Sequence, residues 1–327
     1  MTMDEHIFNF PAQLVEAIQI ARSAQLKKKN VDAVLISGLG GSGIGGSLAQ
    51  DCFASESRVP ILVNKDYSIP SFVNSNTLVI ISSYSGNTEE TISAYEKAKS
   101  KGACIVAISS GGKILKDAIE DNFQFITLPG GNPPRTCLGY SFVQVVAILE
   151  AFDVIPKGNL AKIASSSEYL VSERESIQLT AKFFAEKLYK KIPVIYGLSN
   201  TEALALRFRQ QLNENSKMLC WHHVFPEMNH NELVGWTNKN DSLSVIILRT
   251  DYDHSRVVKR VEICKDIFEK YCSEVLEIKA KGKSFMEQAL YLVHLTDWIS
   301  WYLAELNLVD AMEVNVIDFL KNELSKS

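Results

Sequence analysis

The chain has 327 residues, 46% hydrophobic and 22% charged, with a formal net charge of −4, values ordinary for one large or two medium globular domains and without the basic excess that nucleic-acid binding needs. Six scattered cysteines without a C-x-x-C pair argue for a reducing compartment and against a zinc ribbon. No apolar run is long enough to span a bilayer, and residues 1–6 are acidic without a signal-peptide pattern, so a cytoplasmic chain that meets neither membrane nor nucleic acid is expected.

Residues 8–29 read as an amphipathic helix with Leu14, Ile18, Ala21 and Leu26 on its apolar stripe. Residues 31–36 read as a buried strand and 47–53 as a helix. Between them lies Gly38-Leu39-Gly40-Gly41-Ser42-Gly43-Ile44-Gly45-Gly46, six glycines in nine residues. A strand, a glycine-rich turn and a helix present free backbone N–H groups to an anion. The stretch satisfies G-x-G-x-x-G twice, which alone would indicate a dinucleotide-dependent oxidoreductase. Two features weigh against that reading. Asp66, the candidate ribose acid, is displaced, and a second anion loop follows.

Strands are expected over 60–64 and 77–83, then the loop Ser83-Tyr84-Ser85-Gly86-Asn87-Thr88 and a helix over 89–101. Hydroxyls at 83, 85 and 88 beside a helix start make a cradle for a phosphomonoester, and the missing lysine argues against a nucleoside triphosphate. The plainer alternative is a helix cap from Thr88 or Ser85, which needs only one hydroxyl. Strands over 103–108 and 123–128 complete a first alternation, which Pro129-Gly130-Gly131-Asn132-Pro133-Pro134-Arg135 breaks. A helix over 138–152 and a mixed helical region over 158–190 follow. A second alternation has strands at 192–197, 218–222, 243–249 and 274–278 and helices near 201–213, 254–271 and 284–307. The expected fold is therefore α/β, two doubly wound parallel-sheet, flavodoxin-like domains, 1–155 and 156–327.

The two loops resemble the sugar isomerase (SIS) domain. With Pro134-Arg135, Asn213-Glu214-Asn215-Ser216-Lys217, Pro226-Glu227 and His230-Asn231-Glu232 in that order, nearly the whole chain resembles the bifunctional phosphoglucose/phosphomannose isomerases, which carry two SIS domains. The loops are common to all SIS proteins; the later motifs belong to this branch. The resemblance implies that Gly41, Ser42, Ser83, Ser85 and Thr88 hold a sugar phosphate, that Arg135 sits over the reacting carbons and that Glu214 moves the proton. It also implies that His230 opens the ring from the neighbouring subunit of a homodimer, and that Lys321 is the C-terminal site lysine. No metal or cofactor is implied. One departure is Asp310-Ala311-Met312-Glu313-Val314, where Met312 replaces a small hydroxyl of the family pattern and bears on the use of mannose 6-phosphate.

The chemistry of the residues agrees with those roles. Aldose–ketose isomerisation needs one base facing two adjacent carbons and positive charge near the enediolate oxygens. Glu214 falls at a helix end, whose negative pole is expected to raise its pKa, and two prolines stiffen the approach to Arg135. A solvated helix-end carboxylate and a surface ion pair are the plainer readings of these two residues. His222, His223 and His230 fit no common zinc spacing; one of the first two is expected to face the core and the other solvent. Asn229 and Asn231 are expected to orient His230. The reading is a metal-independent isomerase of hexose 6-phosphates. The alternative is a non-catalytic SIS module sensing a sugar phosphate, which would need the loops but neither Glu214 nor His230.

Overall fold

The unbroken apolar runs of the sequence become central parallel strands, buried on both faces. The computed structural model describes every residue except Ser325 and Ser327. In chain order the elements are α1 (Met3–Phe8), α2 (Phe10–Ser23), β1 (Ala33–Ser37), α3 (Gly40–Phe53), β2 (Ile61–Asn64), β3 (Thr77–Ser82), α4 (Glu89–Ser100), β4 (Cys104–Ser109), α5 (Gly112–Glu120), β5 (Gln124–Thr127), α6 (Leu138–Ala151), α7 (Asn159–Ser172) and α8 (Arg174–Leu188). There follow β6 (Ile192–Leu198), α9 (Glu202–Glu214), β7 (Trp221–Phe225), β8 (Leu243–Arg249), α10 (Ser255–Phe268), β9 (Glu274–Lys279), α11 (Phe285–Asn307) and α12 (Asn315–Leu324). Two compact units emerge. The first is Phe8–Ser172 with Gly282–Leu290; the second joins Met1–Ile7, Glu173–Lys281 and the residues from Tyr291 onward.

The first unit holds a five-stranded, all-parallel sheet in the order β2-β1-β3-β4-β5. That is the flavodoxin-like order, in which ligands sit outside the carboxyl ends of the strands where the winding reverses, here between β1 and β3. Both expected anion loops leave those two strands. On one face Leu35, Val79, Ile81 and Ala107 pack with Tyr95 and Ala98 of α4 and Ile114 and Ala118 of α5. On the other, α3 packs on α6, and α2 packs on α6 and α7. Helix α6 is buried from Leu138 to Leu149, as its all-round apolar sequence requires.

The glycine stretch differs from expectation. The helix begins at Gly40, not near residue 47, so most of the glycines are helical. Packing overrides glycine's poor helix propensity. A Cβ on Gly45 would lie 2.5 Å from Ser141 Oγ of α6, and one on Gly46 would lie 2.6 Å from Ile36 Cγ2 of β1. The glycines let α3 seat closely on both neighbours. The helix expected over 8–29 is instead broken at Asn9, with Pro11 in the first turn of α2, and ends at Ser23.

The second unit holds the parallel sheet β7-β6-β8-β9. Val194, Tyr196, Val245 and Ile247 pack with Phe225, Met228, Trp236 and, from α10, Val261, Cys264 and Phe268. Strand β7 is an edge strand, displaced by three residues from the expected 218–222. Lys217 turns the chain at φ +56°, and Asn213 Nδ2 donates to the Met218 carbonyl at 2.7 Å, so residues 218–220 complete a turn before pairing begins.

Helix α11 buries His294 at 1% exposure, where it accepts from Trp298 Nε1 at 3.4 Å. Burial and the nearby Arg174 hold its pKa down at about 3, against 6.5 for a free imidazole. The native state therefore keeps His294 neutral, while the unfolded chain takes up a proton below pH 6.5. Stability is fully present above that value and falls by about 1.4 kcal/mol per pH unit toward acid. Urea unfolding at a series of pH values is expected to show this slope, and His294→Phe to remove its share of it.

Candidate active site

In the first unit the loop after β1 passes Gly38 and Leu39 and enters α3, placing Ser42 in the first helical turn, 7% exposed. Ser42 Oγ accepts from the Tyr84 backbone N–H at 2.9 Å, leaving its own proton to donate. This bond joins the loop after β1 to the loop after β3. In the second loop Ser83 is buried, Thr88 half-buried and Ser85 exposed. Ser83 Oγ lies 3.1 Å from Thr88 Oγ1 and accepts from the Gly86 N–H at 3.2 Å, while Ser85 Oγ accepts from the Asn87 N–H at 3.3 Å. Thr88 occupies the N-cap of α4 but makes no side-chain cap bond. Its hydroxyl is thus part of a cluster beside first-turn N–H groups that have no intrahelical partner, which is what an anion requires.

Glycine at 86 is what lets this loop close. Its φ is +69°, and a Cβ there would lie 1.9 Å from the Gly111 carbonyl oxygen. The Ile114 N–H donates to Gly86 O at 2.9 Å and the Lys113 N–H to Asn87 Oδ1 at 3.0 Å, so the turn after β4 buttresses the serine loop.

Arg135 lies in a short 3-10 turn, Pro134–Thr136, and is only 4% exposed, so it is not a surface residue. A Cβ on Gly41 would lie 2.4 Å from the Pro134 carbonyl oxygen and 3.0 Å from Arg135 Cα. The absence of that Cβ brings the arginine turn against the start of α3. The turn is braced by Gln13 of α2, whose Nε2 donates to Thr136 O and whose Oε1 accepts from the Gly139 N–H, both at 2.8 Å. Tyr84 ties in the preceding segment: its hydroxyl donates to Pro129 O at 2.8 Å and accepts from the Asn132 N–H at 3.1 Å. Burial pushes this phenol up to about 12, so it remains a donor at neutral pH. The structure therefore brings Gly41, Ser42, Ser83, Ser85, Thr88 and Arg135 into one loop cluster. Gln13 and Tyr84 support that cluster. Neither stands out in the sequence, because their partners are distant in the chain.

In the second unit Glu214 is the last residue of α9 and half-buried. Its surroundings are fixed from α11: Asn215 Nδ2 donates to Ser300 Oγ at 3.0 Å, Ser216 Oγ to Ser300 O at 2.6 Å, and Asn307 Nδ2 to Ser216 O at 3.0 Å. The Lys217 ammonium donates to the carbonyls of Glu214, Asp310 and Glu313 at 2.6, 2.8 and 2.7 Å. A cation is favourable at a helix carboxyl end, and this one also ties the end of α9 to the segment around Met312. Farther up α9, Arg207 pairs with Asp297 of α11 at 2.6 Å, both buried.

Residues 177–324 match the bacterial phospho-glucose isomerase C-terminal SIS domain. The chain is 40% identical to a bifunctional phosphoglucose/phosphomannose isomerase of Caldicellulosiruptor bescii over 99% of both chains. The chain belongs to the bifunctional phosphoglucose/phosphomannose isomerase family. A second protein of that description, from Aquifex aeolicus, is 37% identical over 90% of each chain. The fold matches that of a putative phosphosugar isomerase from Clostridium difficile 630, with a TM-score of 0.77 at 19% identity over 96% of this chain and 95% of that one.

The remaining residues that the family likeness singles out lie in the second unit. His230 ends a 3-10 turn, Glu227–His230, and is exposed. Asn229 and Asn231 do not orient it, contrary to expectation. Asn229 Nδ2 faces Met228 Sδ and Cys264 Sγ at 3.2 and 3.1 Å, and Asn231 binds Glu227 and the Glu232 N–H. His222 and His223 are both half-buried, so they do not divide between core and solvent; an edge strand has no second neighbour to bury either one. Lys321 lies on α12, where every described side chain is exposed, and Met312 is half-buried with its N–H on Asp310 Oδ1 at 2.7 Å.

Proposed function

We propose that the protein interconverts glucose 6-phosphate, and mannose 6-phosphate, with fructose 6-phosphate through a cis-enediolate, without a metal. The observation that carries this reading is the loop cluster. The paired hydroxyls of Ser83 and Thr88, the latter making no helix-cap bond, lie in the same cluster as a buried arginine, in a chain whose relatives are named for this reaction.

Ser42, Ser83, Ser85 and Thr88 take the phosphate with neutral donors. His230 protonates and releases the ring oxygen. Glu214 removes the proton from one carbon beside the carbonyl and returns it to the other, while the Arg135 guanidinium stabilises the enediolate oxygens. Lys321 is the proposed C-terminal lysine of the site. The working form is a cytoplasmic homodimer in which His230 serves the partner's site. Mixing Glu214 and His230 variants would then restore activity that neither has alone.

The deciding experiment incubates the protein with fructose 6-phosphate in D2O containing EDTA and follows it by NMR. Deuterium at C2 of glucose 6-phosphate establishes proton transfer through an enediolate. Mannose 6-phosphate in the same tube shows that Met312 permits the second epimer. Bound sugar phosphate with no exchange would overturn the reading in favour of a sensing module.

A further inference from the structure

The segment bearing His230 runs over the core from Pro226 to Trp236 as two 3-10 turns, Glu227–His230 and Glu232–Gly235. Two apolar anchors hold it. Met228 is fully buried, and Trp236 packs on Phe268 with ring centroids 4.8 Å apart. Between the anchors, Glu232 turns inward. Its Oε1 accepts from the Tyr196 hydroxyl at 2.6 Å and from Trp221 Nε1 at 3.0 Å. Tyr196 is itself fully buried on β6, and its hydroxyl accepts from Trp236 Nε1 at 3.0 Å. The Glu232 N–H donates to Asn231 Oδ1 at 2.6 Å. One carboxylate thus gathers donors from β6 and β7 and, through Tyr196, links to the end of its own loop.

We propose that Glu232 is a positioning residue for ring opening, holding His230 where it meets the sugar ring oxygen. Since neither adjacent asparagine bonds the imidazole, the placement of His230 falls to its backbone; Asn231 ties that backbone to Glu227 within the same turn, whereas Glu232, two residues away, ties it to β6 and β7. A half-buried carboxylate facing two neutral aromatic donors, with none of its bonds here from a cation, is a weak choice for stability alone. An acceptor able to take two bonds at one point of the loop explains it better.

The inference rests on the ring-opening role given to His230, and the test separates the two. Catalysed exchange between the α and β anomers of glucose 6-phosphate, followed by NMR magnetisation transfer, reports ring opening and closure without transfer at C2. Glu232→Ala is expected to slow this exchange about 10- to 100-fold, the effect of an ångström-scale misplacement, with an unchanged KM for fructose 6-phosphate. Glu232→Gln keeps an acceptor oxygen and is expected to recover most of the rate; Tyr196→Phe, which removes one donor, is expected to fall between them. Exchange at the wild-type rate in Glu232→Ala, or no recovery in Glu232→Gln, would overturn the inference. If His230→Asn also exchanges at the wild-type rate, the ring-opening role itself fails. If His230→Asn loses exchange while Glu232→Ala keeps it, only the positioning role fails.

Discussion

Glu214→Gln is expected to bind fructose 6-phosphate as the wild type does and to lose turnover by at least the ~10²–10⁴-fold that a general base supplies. The substitution keeps shape and one acceptor oxygen but removes the group proposed to take the proton. It should not disturb the fold, because the end of α9 is held by neighbours other than that carboxylate. Asn215 and Ser216 are bonded to Ser300 of α11, and the Lys217 ammonium clasps the Glu214 carbonyl, a backbone atom the substitution leaves in place. Loss of turnover with intact binding is the signature of an interaction made only in the transition state. Deuterium exchange at C2 should vanish with turnover, since both pass through the same proton abstraction. A Glu214→Gln protein that still exchanges deuterium at C2 would take Glu214 out of the mechanism.

Much of the fold was legible because parallel α/β sheets write themselves as unbroken apolar runs. The runs expected as strands over 77–83 and 103–108 are the buried strands Thr77–Ser82 and Cys104–Ser109, and the expected strand over 243–249 has the observed bounds. Edge elements were less legible. The run Met218-Leu219-Cys220 looks like strand, yet the turn at Lys217 consumes it and pairing starts at Trp221. Helix α5, only nine residues long, offered too short a pattern to stand out. The glycine stretch was misread as local structure. Glycine's propensity argues for a loop, whereas close contact with α6 and β1 makes it a helix. The same division holds for function. The residues proposed to touch a phosphate or move a proton, among them Ser83, Thr88 and Glu214, stand in short motifs that a sequence displays. Those that hold them in place, such as Gln13, Tyr84 and the partners of Glu232, act across more than thirty residues of chain or from another strand, and no local spacing marks them.

Gly41→Ala is expected to cost far more activity than stability. An added Cβ would lie 2.4 Å from the Pro134 carbonyl oxygen, 2.7 Å from its carbon and 3.0 Å from Arg135 Cα. All three are backbone atoms, so no rotamer change relieves the clash. Either the start of α3 or the arginine turn must retreat by roughly 1 Å, a displacement that can cost about 10²-fold in rate when it separates catalytic groups. The arginine turn is the part more firmly tied, by Gln13 to Thr136 and Gly139, so the movement falls on the segment that carries Ser42 and reaches Tyr84 through the Ser42 bond. Phosphate binding and enediolate stabilisation would then weaken together, with KM rising and kcat falling. The fold should tolerate the change, since overpacking of this kind costs about 1–3 kcal/mol. Gly102→Ala is the contrasting substitution: its φ of +66° strains the backbone, but a Cβ there meets nothing within 4 Å. It should lower the melting temperature by a few degrees, from a cost of about 1–2 kcal/mol, and leave kcat alone. If Gly41→Ala retained wild-type kcat/KM while Gly102→Ala lost it, close approach of the Arg135 turn to the glycine loop would not be what the reaction depends on.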